Sequence, residues 1–265
     1  MNIHHVVDGL PLWVIFIASV IVIVSSSEVG FLLGKRHSGK GSTGRKISTG
    51  PVVASSLGLM AFMLAFTFGA VASRFDDRKD LVLEEANAIG TAFLRADLLP
   101  RIERDRMQKL LYDYISLRIE AVESGDAEQI EQALIRSEAM QNEMWSMAVS
   151  FAGRDRSPVA ALFLQSLNQV IDLQQKRVTV STYHRMPAVF WFTLCGLAIL
   201  SMVIGGYENG LSGGRRSITT RLVVSIAFSM VLILIVALER PFVELASVSQ
   251  AALIDVQQGI KSPFR

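Results

Sequence analysis

Apolar positions along the chain fall into two patterns. Four nearly unbroken runs, at 10–33, 51–72, 187–207 and 222–238, flank a middle section in which apolar residues recur at helical spacing. Each run approaches the ~20 residues that a helix needs to cross a hydrocarbon core of about 30 Å. Four membrane-spanning helices are therefore predicted, paired into two hairpins.

In the middle section Met107, Leu110, Leu111, Tyr114, Leu117 and Ala121 form one stripe. Ile130, Ala133, Leu134, Met140, Met144, Met147 and Phe151 form a second, loosened by Ser137, and Leu162, Phe163, Leu167, Val170 and Leu173 a third. Spacings of three and four mark the apolar face of an amphipathic helix. Breaks are expected at Pro100, at Ser124-Gly125-Asp126 and between Gly153 and Pro158, with Ser157 placed to cap the helix that Pro158 opens. No stretch alternates in the manner of a strand. The predicted fold is all-α: a first transmembrane hairpin (1–74), an extramembrane antiparallel helical bundle (75–185), a second hairpin (186–240) and a C-terminal tail (241–265). No linker-like segment parts the bundle from the second or third membrane helix, so both junctions are expected to be helical. A helix from 51 to 99 would run about 70 Å at 1.5 Å per residue, far beyond the bilayer core.

Composition refines this picture. The chain is 51% hydrophobic yet 19% charged, because the charges concentrate in the middle section and the short loops. A net charge of +2 gives no reason to expect a nucleic-acid partner. Cys195 is the single cysteine, which excludes an intrachain disulfide and argues against a thiolate metal site. No Lys or Arg precedes the first run, and Gly34-Lys35-Arg36-His37 follows it in place of a small-residue cleavage site, so it is read as a retained helix rather than a signal peptide.

The loops carry the orientation. Residues 35–50 hold Lys35, Arg36, Lys40, Arg45 and Lys46 with no acid, and residues 208–221 hold Arg215, Arg216 and Arg221 against Glu208. Positive charge stays on the cytoplasmic side. Both short loops are thus expected in the cytoplasm, with the termini and the central domain on the outer side of the membrane.

The second run carries the most candidate chemistry. Ser55, Gly58, Ala65, Gly69, Ala72 and Asp76 place small residues along one face, interrupted by Phe62, while Leu57, Met60, Leu64, Phe68, Val71 and Phe75 make a bulky one. Small faces let helix backbones approach closely in lipid. The plain reading is contact between helices of one chain; the sharper one is packing of this helix on its own copies around a pore, with Ser55, Gly58, Ala65, Phe66, Phe68 and Gly69 as the pore or packing candidates. Past the hydrocarbon follow Arg74, Asp76, Asp77, Arg78, Lys79 and Asp80. In one chain they are a solvated face with local ion pairs; in a symmetric oligomer Arg74, Asp76, Asp77 and Arg78 would ring a mouth, although mixed signs define no selectivity.

Glu28 lies inside the first run, about 9 Å before Gly34. A carboxylate at that depth must face protein or water, or be protonated. Its expected partners are Arg45, Lys46, Arg215 or Arg216, in the role of a structural anchor or, alternatively, an ion or proton site.

Other motifs fail. Residues 39–46 resemble a phosphate loop but lack its Gly-Lys-Ser/Thr ending and join two membrane helices. His4, His5, His37 and His184 have no metal-ligand spacing. The central carboxylates read as solvated faces, no nucleophile, base and acid converge, and neither enzyme chemistry nor a cofactor is expected.

The chain carries Leu64-Ala65-Phe66-Thr67-Phe68-Gly69, then Ser73-Arg74-Phe75-Asp76, then the stretch from Glu85-Ala86-Asn87 through Arg95-Ala96-Asp97 to Pro100. On these residues it resembles a bestrophin-like family of bacterial membrane proteins, which implies the bacterial cytoplasmic (inner) membrane. Glu28-Val29-Gly30-Phe31 with Gly34 agrees, as does Glu239-Arg240-Pro241-Phe242, where the family pattern more often has Asp before Arg-Pro-Phe. The resemblance implies a distant likeness to bestrophins, pentameric ion channels whose second membrane helix lines the neck. It therefore implies a homo-oligomer, a pentamer by analogy, that conducts inorganic ions. Bestrophins keep the helical domain in the cytosol, whereas five basic residues without an acid in one short loop place it outside here. The alternative expectation is a non-conducting scaffold or sensor whose projecting domain binds an envelope partner.

Overall fold

The computed structural model describes residues 10–38, 50–182, 185–212, 218–240 and 248–260. Among the described residues the protein is wholly helical: α1 (Leu12–Ser38), α2 (Gly50–Ala96), α3 (Arg101–Glu123), α4 (Ala127–Arg154), α5 (Pro158–Thr182), α6 (Ala188–Leu211), α7 (Ile218–Glu239) and α8 (Ala251–Gly259). The chain divides into two compact units, residues 1–74 with 186–240 and residues 75–185 with 241–265. The turns of both expected hairpins, at 39–49 and 213–217, lie outside the described residues.

In the first unit α1, α2, α6 and α7 each contain an apolar segment long enough to cross a membrane, and only 17% to 39% of each segment is buried within the chain. Trp13, Ile21, Phe62, Phe66, Val189, Phe192 and Val223 all face outward. Apolar side chains exposed on this scale need lipid as their solvent. Ser26 and Thr67 bond back to the preceding turn, to the Val22 and Met63 carbonyls, each at 2.7 Å, which satisfies those two hydroxyls within their own helices.

The core of this unit joins Ile23, Met60, Leu64, Val71, Leu194, Met202, Phe228, Leu232 and Ile235. Helix directions follow from the contacts. Gly30 and Gly34 of α1 meet Val203 and Tyr207 of α6, and Gly206 and Gly210 of α6 meet Ser27 and Phe31. Both helices ascend in register, so they run parallel. Arg240, just past α7, donates to the Leu10 carbonyl at 2.8 Å, and Arg221 near the start of α7 reaches Glu28 of α1, so α7 runs the other way.

The second unit is an antiparallel bundle built as the stripes predict. Met107, Leu111, Tyr114, Met144, Phe163, Leu167 and Val170 are fully buried. Ser137 is buried as well and continues the α4 stripe that it was expected to loosen; Leu162, assigned to the core by spacing, is exposed. Gly125 adopts φ +63°, the left-handed turn for which glycine is suited, and the Asp126 carboxylate caps α4 by accepting from Glu128 N at 3.0 Å. Ser157 accepts from Ala160 N at 3.4 Å, the expected cap of α5.

Two expectations change. α2 is continuous through 47 residues, but α5 ends at Thr182 and α6 begins only at Ala188. Pro187 lacks an N–H and disfavours helix at the residue before it, which breaks the second junction. The segment read as a tail contains α8, whose Leu253 is wholly buried and whose Gln257 Nε2 donates to Ser116 Oγ at 2.8 Å.

Candidate functional site

The pore or packing candidates can be placed directly. Ser55, Gly58, Ala65, Phe66, Phe68 and Gly69 are all exposed on α2. The opposite face of the same helix carries Met60, Leu64, Thr67 and Val71, buried at spacings of three and four. Ser201 of α6 donates to the Ser56 carbonyl at 3.2 Å on that inner side. A Cβ built on Gly58 or Gly69 would meet nothing within 4 Å. Among the described residues, neither glycine of this face has a neighbour that requires it to be small.

The glycines that do pack are elsewhere. A Cβ on Gly30 would overlap the Val203 carbonyl oxygen; on Gly34, that of Tyr207; on Gly206, that of Ser27; on Gly210, that of Phe31. Two four-residue glycine spacings, 30/34 and 206/210, let the α1 and α6 backbones touch. This spacing is legible in the sequence and was the overlooked signal.

Of the charges beyond the α2 span, Arg74 pairs with Glu239 at 3.9 Å, Arg78 lies 5.8 Å from the Phe75 ring centroid, and Asp76 and Asp77 are exposed. Glu239 also accepts from the Met186 backbone N–H. Glu239 and Arg240, two residues of the family resemblance, therefore tie α7 to Arg74, to the approach to α6 and to the start of α1.

Glu28 is paired with Arg221, whose guanidinium stacks 4.7 Å from the Phe31 ring centroid. The expected partners Arg45, Lys46, Arg215 and Arg216 lie outside the described residues. Arg221 also lines a cavity of about 360 Å³ with Ser27, Ser201, Ser225, Glu208 and Asn209 among others. Buried serines beside an ion pair make this a polar recess within an otherwise apolar unit.

The second unit holds a group that sequence reasoning missed. Glu85 is wholly buried, although the central carboxylates read as solvated. It accepts from Tyr114 Oη at 3.0 Å and from Arg177 Nη1, and it faces Arg118 Nε at 3.3 Å. Gln141 Nε2 donates to Tyr114 Oη at 3.2 Å, and Arg177 reaches Gln250 Oε1 at 3.4 Å. Burial alone would raise the Glu85 carboxyl's pKa; Arg177 and Arg118, with the bonds from Arg177 and Tyr114, outweigh it and hold the pKa below its ordinary value. Burial, then the Glu85 carboxylate, push the Tyr114 phenol above its own. Glu85 thus stays ionised and Tyr114 stays a donor. Tyr114 sits on a predicted apolar stripe, which marked it as core but not as the partner of an acid.

No group of three or more His, Cys, Asp and Glu side chains that could hold a metal occurs among the described residues. Four apolar helices of membrane-crossing length, joined in sequence to a helical bundle, define a membrane protein. A model of the bestrophin-like domain matches residues 20–253, and the chain belongs to that bestrophin-like family. Neither the curated proteins nor the solved structures hold a significant match.

Proposed function

We propose that this bestrophin-like protein is a homo-oligomeric ion channel or conductance protein of the bacterial cytoplasmic membrane, its α2 helices gathered about a common axis, and that it works by conduction rather than catalysis. The supporting observation is the outward face of α2, where Gly58 and Gly69 lie open on either side of Phe62 and Phe66, which are 65% and 55% exposed. Lipid chains do not require small residues, whereas a neighbouring helix gains contact from glycine hollows and aromatic knobs. A second copy of α2 offers both. Asp76 and Asp77, together with Arg74 and Arg78, then form a ring at the mouth, where charge biases which ions enter. The basic loops at 35–50 and 208–221 face the cytoplasm.

Purified full-length protein in liposomes is expected to pass inorganic ions and to migrate as an oligomer in mild detergent. Gly69→Trp is expected to change the flux at least severalfold. A monomeric preparation that passes no ions overturns the proposal and turns attention to a non-conducting scaffold or sensor.

A further inference from the structure

Between α4 and α5 of the helical domain lies a cavity of about 440 Å³, within the range of roughly 300–1,000 Å³ usual for small-molecule sites. The described residues that line it include the carboxamides of Gln141, Asn142, Asn168, Gln174 and Gln175. We infer that it is a binding site for a neutral mono- or disaccharide, whose hydroxyls pair with these amides while one ring face lies on Trp145. The site is separate from the proposed pore, and its existence does not depend on conduction.

Helical repeat supplies the lining. Glu131, Leu134, Glu138, Asn142 and Trp145 recur at three and four along α4, as do Asn168, Ile171, Gln175 and Val178 along α5, so each helix turns one stripe towards the cavity. Gln141 and Gln174 line it from nearer the core and are only 4% and 7% exposed. Among the described residues Gln174 makes no hydrogen bond, although an amide enclosed to that degree is destabilising unless a partner meets it. Its carboxamide is available to whatever enters the cavity.

Gln141 is oriented from the opposite side. Tyr114 directs its one hydroxyl proton to Glu85 at 3.0 Å, so its oxygen accepts from Gln141, whose Nε2 donates to it at 3.2 Å. The Gln141 carbonyl oxygen is left as the acceptor for a ligand, and the buried network holds it in place before anything binds. Asn168 is braced in a similar way, by donation to Asp172 Oδ2 at 2.8 Å.

The mixture of groups selects the ligand. A sugar hydroxyl both donates and accepts, which suits carboxamides set beside carboxylates: Glu131 and Glu138 take its protons, and amide N–H groups meet its oxygens. Trp145, 37% exposed, adds an indole, whose electron-rich face attracts the weakly positive C–H groups of a sugar ring. An anion is repelled by the two acids. An organic cation satisfies the acids and the indole but offers no acceptor to the N–H groups of Gln174 and Gln175.

The test is a titration of the full chain in phosphatidylcholine nanodiscs, free of glycoside detergents, with glucose, galactose, N-acetylglucosamine and maltose in turn, and with spermidine as the organic cation. A saturable change in tryptophan emission is expected with at least one sugar. Trp145→Phe is expected to remove that change, since Trp13 and Trp191 belong to the membrane unit. Gln174→Leu is expected to weaken binding by about tenfold or more; should it fail to fold, Asn142→Ala, at an exposed position of the same lining, carries the comparison and is expected to weaken binding severalfold. No response to any sugar overturns the inference, as does a saturable response to spermidine alone. So does an emission change that survives Trp145→Phe, or an affinity that the amide variants leave unaltered. None of these readouts needs ion flux, so they stand or fall separately from the channel proposal.

Discussion

Glycine plays opposite parts in two places of the membrane unit. At Gly30, Gly34, Gly206 and Gly210 it is the absence of a side chain that lets two parallel helices bring backbone against backbone. At Gly58 and Gly69, on the outward face of α2, the same residue meets open space. The first set spends its smallness inside the chain; the second leaves it available to a partner. A small-residue face is thus evidence of close packing only once its neighbour is known, and here the more conspicuous face in the sequence is the one the chain itself does not use.

The strongest way to break this contrast is to place bulk at the crossing. Gly206→Leu forces α1 and α6 apart by more than a side-chain rotation can absorb. The expected cost exceeds the ~1–3 kcal/mol of ordinary overpacking, seen as loss of the monodisperse peak on fluorescence-detected size exclusion. A variant as stable as the wild type would falsify the crossing.

The same inward and outward division holds for the acids of the second unit, where Glu85 is buried in its network and Asp76 and Asp77 are exposed. Glu85→Gln leaves two buried guanidiniums without their counter-charge, so a loss of about 3–5 kcal/mol is expected in thermal unfolding. Sign and pH window follow from the lowered pKa. The carboxylate's contribution is fully present above its unfolded-state pKa and is lost as pH falls through the lower folded-state value. Wild-type stability should therefore fall on the acid side of the usual carboxylate range, and the Glu85→Gln variant should show a flatter acid limb. Parallel acid limbs would remove Glu85 as the cause.

On the outward face, Gly58→Leu is expected to leave helix content unchanged while weakening self-association at least tenfold, about 1.4 kcal/mol, measured by mass photometry in detergent. Unaltered assembly would take α2 out of any interface between copies. The smallest effect belongs to Asp76→Asn, expected within about 0.5 kcal/mol in thermal stability because the residue is exposed; a larger loss would show that this acid is enclosed in the assembled protein.

Much of the fold was legible from residue order because its causes are local. An unbroken apolar run is enough to require a membrane helix, as at residues 187–207, and three-to-four spacing is enough to place Met107, Leu111 and Tyr114 on one buried face. Pro100 and the Gly125-Asp126 turn announced their breaks by backbone chemistry alone. Pro187 carries the same signal, but it stands at the edge of an apolar run with no Gly-rich or Ser-rich linker beside it to mark a junction. The site was less legible. Glu85 looks like any other acid on an amphipathic helix until Tyr114, Arg118 and Arg177 converge on it from α3 and α5, and the Glu28 partner proved to be Arg221, one helical turn into α7.

By itself the amino-acid order determined which segments enter lipid, which residues face a core and where most helices stop, since each depends on the chemistry of a few neighbouring positions. Only the tertiary structure decided which glycines touch, which acid is buried and which arginine answers it. Those outcomes depend on residues as far apart as 28 and 221, or 85 and 177, being brought within a few ångströms, and spacing along one helix does not encode the choice of the helix that packs against it.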